Sequence, residues 1–467
     1  MKPVVLLTDG FVFALLVAGL AYVLHVRGRP QLAANWRLTL RRPAAAVSAL
    51  ILAAFLAVAV ADSLHWRVAL PAASAGQPAW SPETRSALDA VLGPLAVTRE
   101  RTYSSPLAYQ GFRKESFERN GTPVRDYPRL KFGGAHLKDP STQWGDDVQN
   151  LAWRGVGWGA LAWAVLALLS WVALSLRRQR AFGRALTDLV LGRTRYPVRS
   201  VLLAAAVLAV SVGLVASLSS GYHVFGTDRV GASVLVAALK SVRTALVIGA
   251  LTTLVVLPLA LALGVAAGYF RGWVDEVIQY IYTLLASIPD VLLIAAAVLL
   301  LQVKIDSNPT LFETSLERAD ARLFFLCLIL GVTSFTGLCR LVRGETMKLR
   351  ELEYIQAAQA FGVPAARILV RHILPNIVPI VLITTVMQFS AFVLAEAVLS
   401  YVGVGVDPKT ASFGVMINTA RLELSATPVI WWTLAAAFSF MFLIVLSANL
   451  FADAVRDAFD PRTRLRS

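Results

Sequence analysis

Cysteine is almost missing from this chain. Two occur in 467 residues, Cys327 and Cys339, both inside one apolar run, so the sequence encodes no disulfide framework and no cysteine-rich metal site. Histidine is scarce too, at 5. His65, His136 and His223 fall in segments assigned below to one side of the membrane and in principle share a metal, although scattered surface histidines need no ligand. No glycine-rich phosphate loop of the form GxxxxGK followed by Ser or Thr occurs. The nearest stretch, GVGVDPKT at 403–410, has Pro408 where that loop requires glycine. HExxH, GxSxG and CxxC are absent as well, which removes the usual signatures of a zinc hydrolase, a serine hydrolase and a dithiol oxidoreductase. Acidic residues are outnumbered, 29 against 44 Lys and Arg, for a net charge of +15.

What the chain has is hydrocarbon. Hydrophobic residues make up 57% of it and the mean hydropathy is +0.64, too apolar for a soluble globular protein. A hydrocarbon core about 30 Å thick takes roughly 20 apolar residues per helix. Runs of that length lie at 5–25, 43–62, 152–176, 199–220, 241–268, 275–302, 322–341, 376–403 and 428–452, which predicts an all-α polytopic membrane bundle. The first run has the length of a signal peptide. However, Asp9 lies early in it, no small-residue cleavage site follows, and Arg27 and Arg29 come after it, so it reads as an anchor with its N-terminus outside.

A charge of +15 raises the question of nucleic acid, but the basic residues sit on alternate loops. Arg27 to Arg42, Arg177 to Arg199, Arg340 to Arg371 and the tail from Arg456 form one set; 303–321 and 404–427 are poor in them. That alternation implies the bilayer and not nucleic acid as the partner, and it predicts a cytoplasmic C-terminus and a cytoplasmic 353–376. The expected organisation is an N-terminal membrane region at 1–62, an extracytoplasmic polar segment at 63–150 without clear periodicity, a third span with a basic connector at 151–198, and a membrane core at 199–467. Residues 177–198 read as a basic helix on the inner surface or as a solvated connector.

Polar groups inside spans are expensive, about 2.5–3.5 kcal/mol each for charged ones, so Asp290, Gln388 and Glu396 are candidates to line a passage, with interhelical packing as the alternative. Pro289 predicts a kink or break beside Asp290. Between two spans, 353–376 reads EYIQAAQAFGVPAARILVRHILPN. Ala357, Ala358 and Gly362 carry little volume, Gly362 suits a left-handed helix stop, and Pro364 suits the first turn of a new helix. Helix, sharp turn and helix are expected, with a small-residue face that a partner backbone can approach closely.

At QAAQAFG, followed by VPAARILVRHILP, the chain resembles the type-1 permease subunits of ABC importers. The likeness extends through HVFGTDRVGASVL at 223–235, GYFRGWVDEVIQYIYTLLASIPDVLL, AEAVLSYVGVGVDPKTASFGVMINTAR and DAVRDAFDPR, in the pattern of the C-type subunit of the oligopeptide/dipeptide (peptide/nickel) branch. It covers roughly 220–467; the four spans and polar segment before it depart from the family pattern. The resemblance implies a binding-protein-dependent importer of peptides or similar small solutes in the inner membrane. It implies a homologous permease partner, two ATPase chains that bind the ATP, an external solute-binding protein, and no cofactor or catalytic residue on this chain. It assigns ATPase coupling to Gln356, Ala357, Ala358, Gly362, Leu374 and Pro375, and an outer motif to Gly226, Thr227, Asp228 and Gly231. Gln356 stands where the family usually has Glu, which reduces any ion pair there to a neutral hydrogen bond. A stand-alone secondary transporter working through intramembrane carboxylates is the alternative reading.

Overall fold

Backbone groups inside hydrocarbon must be satisfied within the chain, and long Ala-, Val- and Leu-rich runs do this as helices. The structure, a computed structural model, describes residues 2–69, 80–119, 122–178, 192, 196–308, 312 and 314–459. The first part of the chain holds β1 (Lys2–Val4), α1 (Leu7–Arg27), α2 (Pro30–Arg41), α3 (Pro43–Ser63), β2 (His65–Ala69), β3 (Trp80–Ser86), α4 (Ala87–Leu92), α5 (Pro94–Val97), β4 (Glu115–Arg119), β5 (Thr122–Asp126) and α6 (Pro140–Arg178). Then come α7 (Val198–Ser219), α8 (Val234–Phe270), α9 (Gly272–Ala286), α10 (Asp290–Asp306), α11 (Ser315–Ser334) and α12 (Thr336–Arg350). The last are α13 (Glu353–Ala360), α14 (Ala365–Ile368), a π-helical turn at Leu369–Ile373, α15 (Leu374–Val402), α16 (Phe413–Leu424) and α17 (Trp432–Phe459).

Among the described residues 7 helical runs are long and apolar enough to cross a membrane, and two further pairs qualify only as bent units. All nine match the runs expected from hydropathy, with changed ends: α6 begins at Pro140, and the run through α14 and α15 begins at Ala365. One bent pair is α9 and α10, which turn by 87° about Ser287–Pro289, so the break expected beside Asp290 is present. Pro289 has no N–H for the helix ladder, and it precedes Asp290 as the N-cap of α10. The other pair, α11 and α12, bends by 43° and holds both cysteines, which are buried and unpaired. The expected basic helix at 177–198 falls largely on 179–191 and 193–195, outside the described residues.

Two compact units form. The first comprises Met1–Val4, Trp36–Arg243 and Ala411–Phe451. Within it, the polar segment is a small mixed α/β structure. Strand β1 pairs antiparallel with β2, placing Pro3 opposite Trp66, and β2 pairs with β3; β4 and β5 form a separate hairpin. The pairing joins residues 2–4 to the polar segment. Asp89 closes a capping box with Ser86 at the start of α4 and takes an ion pair of 2.7 Å from Lys240 at the head of α8. Burial raises the Asp89 carboxyl, but the charge and hydrogen bonds of Lys240, with those of Ser86, hold it below its ordinary value.

The extra spans α6 and α7 pack backbone to backbone. A Cβ on Gly155 would lie 2.7 Å from Gly213 O, and one on Gly159 would lie 2.6 Å from Ala209 O and Val210 Cα. Across this seam the Ser217 hydroxyl donates to Leu151 O at 2.7 Å, and Trp163 Nε1–H donates to Leu202 O at 2.9 Å. Small residues perform this service in bilayers because lipid gives helices little hydrophobic reason to associate.

The second unit comprises Val5–Asn35, Thr244–Thr410 and Ala452–Ser467. Helix α1 is fastened to α11 by Thr8, whose N–H and hydroxyl both donate to the Asp320 carboxylate, the N–H at 3.0 Å. Helix α9 is held to α12 by a two-pronged ion pair, Arg343 Nε and Nη2 to the Asp275 carboxylate at 2.6 and 2.7 Å. Arg322 joins α11 to Asp306 at 2.5 Å and to Asp407 at 2.6 Å.

The α6–α7 seam generates a direct test. Gly159→Leu forces apart a helix pair with no room for a side chain, at a cost of about 1–3 kcal/mol. The full chain in detergent should melt several degrees lower than wild type, whereas Gly157→Leu, at a position with open space around it, should not. Equal melting temperatures for the two variants would show that the seam is not close-packed.

Candidate functional site

Residues 353–376 fold as expected, helix then turn then helix. Gly362 takes a φ of +73°, and no atom lies within 4 Å of a Cβ built there. Glycine is therefore required by backbone conformation and not by a close neighbour inside this chain. Gly362 N–H donates to Gln359 O, Val363 N–H donates to Ala358 O, and Pro364 caps α14.

Three fully buried isoleucines, Ile355, Ile368 and Ile373, fix the loop to the unit. Gln356 and Ala357 are exposed, Ala358 is half-buried, Leu374 is half-buried and Pro375 exposed. Phe361, between α13 and the turn, is 88% exposed. An aromatic between apolar runs has the composition of core, yet with Ile355 fixed inward Phe361 faces solvent. Leu374 and Pro375 also border a recess of about 740 Å³ together with Gly28, Arg29, Pro30 and Leu32 of the α1–α2 turn.

Polar contacts tie α13 to the end of α8. Gln359 Nε2 donates to the Tyr269 hydroxyl at 3.3 Å, and the Arg350 guanidinium stands 5.7 Å from the Tyr269 ring centroid. Arg271, just after α8, forms an ion pair with Glu351. Gln356 Nε2 donates to Glu351 O and Oε2, both at 3.3 Å. A glutamate at 356 would set two carboxylates against each other here, a physical reason for glutamine at this position.

The outer-motif residues converge with the polar segment in the first unit. The Thr227 side chain is fully buried. Its hydroxyl accepts Ser104 N–H at 2.6 Å and donates to Thr102 O at 2.9 Å, while Trp432 Nε1–H donates to Thr227 O at 3.0 Å. Asp228 Oδ1 accepts the N–H groups of Val230 and Ala232 at 3.0 and 2.8 Å, closing the turn. Gly226 and Gly231 have φ of +67° and +73°; a Cβ on the first would strike Ser104 O and on the second Glu100 O. Glu100 in turn accepts Phe132 N–H at 2.8 Å and Lys131 N–H at 2.7 Å, and it faces His223 at 3.3 Å. Burial raises the Glu100 carboxyl, and these three partners more than offset it, leaving it below its ordinary value.

Asp290 is exposed as the first residue of α10. Gln388 is half-buried, with its side-chain oxygen lacking a hydrogen-bond partner. Glu396 is 2% exposed and accepts the Ser400 hydroxyl at 2.6 Å. Of the histidines, His136 pairs with Asp147 at 2.8 Å and His223 with Glu100, and His65 lies in β2. Among the described residues no group of three metal-binding side chains forms.

The repeated helices long and apolar enough to cross a bilayer make this a multi-pass membrane protein. The chain belongs to the binding-protein-dependent transport system inner membrane component family, whose model matches residues 260–465. It is 33% identical over 242 residues to the oligopeptide transport system permease protein OppC of Mycobacterium tuberculosis, covering 52% of this chain and 77% of that one. It is 31% identical over 247 residues to the glutathione transport system permease protein GsiD of Pectobacterium atrosepticum (52% and 74% covered). Over 245 residues it is 31% identical to the dipeptide transport system permease protein DppC of Alkalihalophilus pseudofirmus, with the same coverage. These matches favour the permease-subunit reading over a stand-alone secondary transporter.

The buried Thr227 hydroxyl sets a second test. Thr227→Val keeps the shape but strips the partner from Ser104 N–H and Thr102 O, at about 1–3 kcal/mol for the buried groups left unpaired. Proteolysis of the 63–150 segment should accelerate while the remaining spans stay resistant. Unchanged proteolysis would remove the motif's role as the anchor of that segment.

Proposed function

We propose that this chain is one of two membrane subunits of an ATP-driven importer of short peptides or similar small solutes, and that a separate ATPase docks on the 353–376 loop. The carrying observation is a short helix fixed by three buried isoleucines that presents Phe361 almost wholly to solvent. A bare phenylalanine on an anchored turn is the kind of anchor a partner groove takes up, worth about 1.5–3 kcal/mol on burial. Gln356, Ala357 and Ala358 supply a low-relief face beside it, and Gly362 supplies the turn that aims it. Leu374 and Pro375 mark where the loop re-enters the membrane.

Movement of the ATPase is passed to the spans through α13. Gln359 pulls on Tyr269 at the end of α8, Glu351 pulls on Arg271 beside it, and the Arg343–Asp275 pair holds α9 to α12. The element so moved includes the 87° break at Ser287–Pro289, a place where two packings of one span differ at small cost. Asp290 and Gln388 line the passage in this reading; Glu396, already engaged by Ser400, lines it only if that contact opens. The partners are a homologous permease, two ATPase chains and an external solute-binding protein. The membrane is the inner one, with the C-terminus cytoplasmic and with residues 2–4 and the 63–150 segment outside, as the arginine distribution supports.

Phe361→Asp tests the docking face. The side chain is 88% exposed, so the permease should express and melt as wild type, while the ATPase chains recovered with it fall by roughly tenfold or more. Full recovery of ATPase would overturn the assignment.

A further inference from the structure

The first unit contains a cavity of about 510 Å³ lined by the polar segment at Thr102–Tyr103 and Arg113–Glu115, by Arg229 next to the outer motif, and by the end of α16 around Glu423. That volume suits a small ligand. Its charges are unusually placed. Glu115 is already engaged, accepting the Thr102 hydroxyl at 3.0 Å and facing Arg101 at 3.8 Å. Arg113, Lys114 and Arg229 form no ion pair among the described residues; Arg113 and Lys114 lie over the rings of Tyr103 and Tyr127 instead.

Glu423 is the anomaly. It is 2% exposed, and neither carboxylate oxygen has a hydrogen-bond partner of ordinary geometry. Burial raises its carboxyl and Asp228 adds repulsion, offset only in part by the neighbouring Thr433 and Tyr103 hydroxyls. A buried carboxylate left this way is costly and is retained where something else completes it. A simple anion would leave the buried Glu423 unmatched, and a cation alone would make no use of the three basic side chains at the exposed rim of the cavity.

We propose that this cavity is a receiving subsite for a small zwitterion, an α-amino acid or short peptide, with Glu423 meeting its ammonium group and Arg113 and Arg229 meeting its carboxylate. The proposal rests on the importer reading above and adds where on the permease such a solute lodges. Charge complementarity decides the ligand class: a buried carboxyl deep in the wall, which an ammonium group would hold ionised, and exposed cations at the rim match a molecule with opposite charges at its two ends. The same wall disfavours solutes blocked at either end: an amine block leaves the buried Glu423 carboxyl unmet, and a carboxyl block forfeits the charge-assisted bonds to Arg113 and Arg229 at the exposed rim.

The test is equilibrium binding to the purified full chain in detergent, with tri-L-alanine, N-acetyl-tri-L-alanine and tri-L-alanine amide as probes. Wild type should bind tri-L-alanine saturably and each blocked form at least roughly tenfold more weakly. Glu423→Gln should weaken tri-L-alanine by a similar factor yet change binding of the acetylated probe by less than about twofold. Arg229→Gln should do the same for the free carboxylate against the amide. Glu423→Gln should melt no lower than wild type, since the amide keeps the shape and an oxygen for the Thr433 and Tyr103 hydroxyls while removing a carboxyl that burial disfavours as an anion, so a loss of binding is not a loss of fold. No saturable binding to wild type, equal binding of the three probes, or unaltered tri-L-alanine binding by folded Glu423→Gln would each overturn the proposal. Binding is read on the permease alone and import on the whole assembly, so failure here leaves the importer reading standing, and failure of import leaves this measurement intact.

Discussion

The rest of the structure depends on one constraint: within hydrocarbon every backbone N–H and C=O must find its partner in the chain. Helices satisfy this continuously, so the chain departs from helix only where protein supplies the missing partners or where it leaves the membrane. The α9–α10 break is such a departure. Ser287 N–H returns to Thr283 O and Leu284 O, and Pro289 has no N–H to satisfy. A proline placed there removes a need and not merely a bond, which is why a sharp bend is tolerable at that point.

Away from the hydrocarbon, the same chain uses fixed turns to aim short segments. The 353–376 loop and the Gly226–Gly231 turn share a logic: a left-handed glycine sets direction, and anchored side chains prevent the turn from relaxing. In the loop the clamps are the three isoleucines; in the outer motif they are the Thr227 hydroxyl and the Asp228 carboxylate. The consequences differ. The loop leaves its apex bare, with Phe361 unsupported. The motif buries its apex against residues 100–104 and so carries the polar segment rigidly on the helices that follow it.

This rigid attachment gives the cavity around Glu423 its meaning. Parts of the chain remote in sequence, within 102–115, at Arg229 and within 419–426, form one wall, held where Thr227 bonds to Thr102 and Ser104 and Trp432 bonds to Thr227. Trp432 also meets Phe112 edge to face at 4.9 Å, holding the Arg113 end of that wall to the start of α17. A carboxyl buried in such a wall cannot swing out to water.

The sequence by itself determined the membrane elements and the loop. Each of the nine expected runs corresponds to a helix or bent pair, because apolar length is a local property and lipid reads it locally. The turn at Gly362 and Pro364 and the break at Pro289 were legible for the same reason, since both follow from single-residue backbone chemistry. The 63–150 segment was not legible, because its order is non-local: β2 finds its partner β1 at residues 2–4, more than sixty positions earlier, and a three-residue strand carries no periodicity. Nor did the sequence single out Phe361 or Glu423. One is exposed and the other buried against the habit of its residue type, and only the tertiary packing of Ile355 and of the Thr227 turn decides which way each side chain faces.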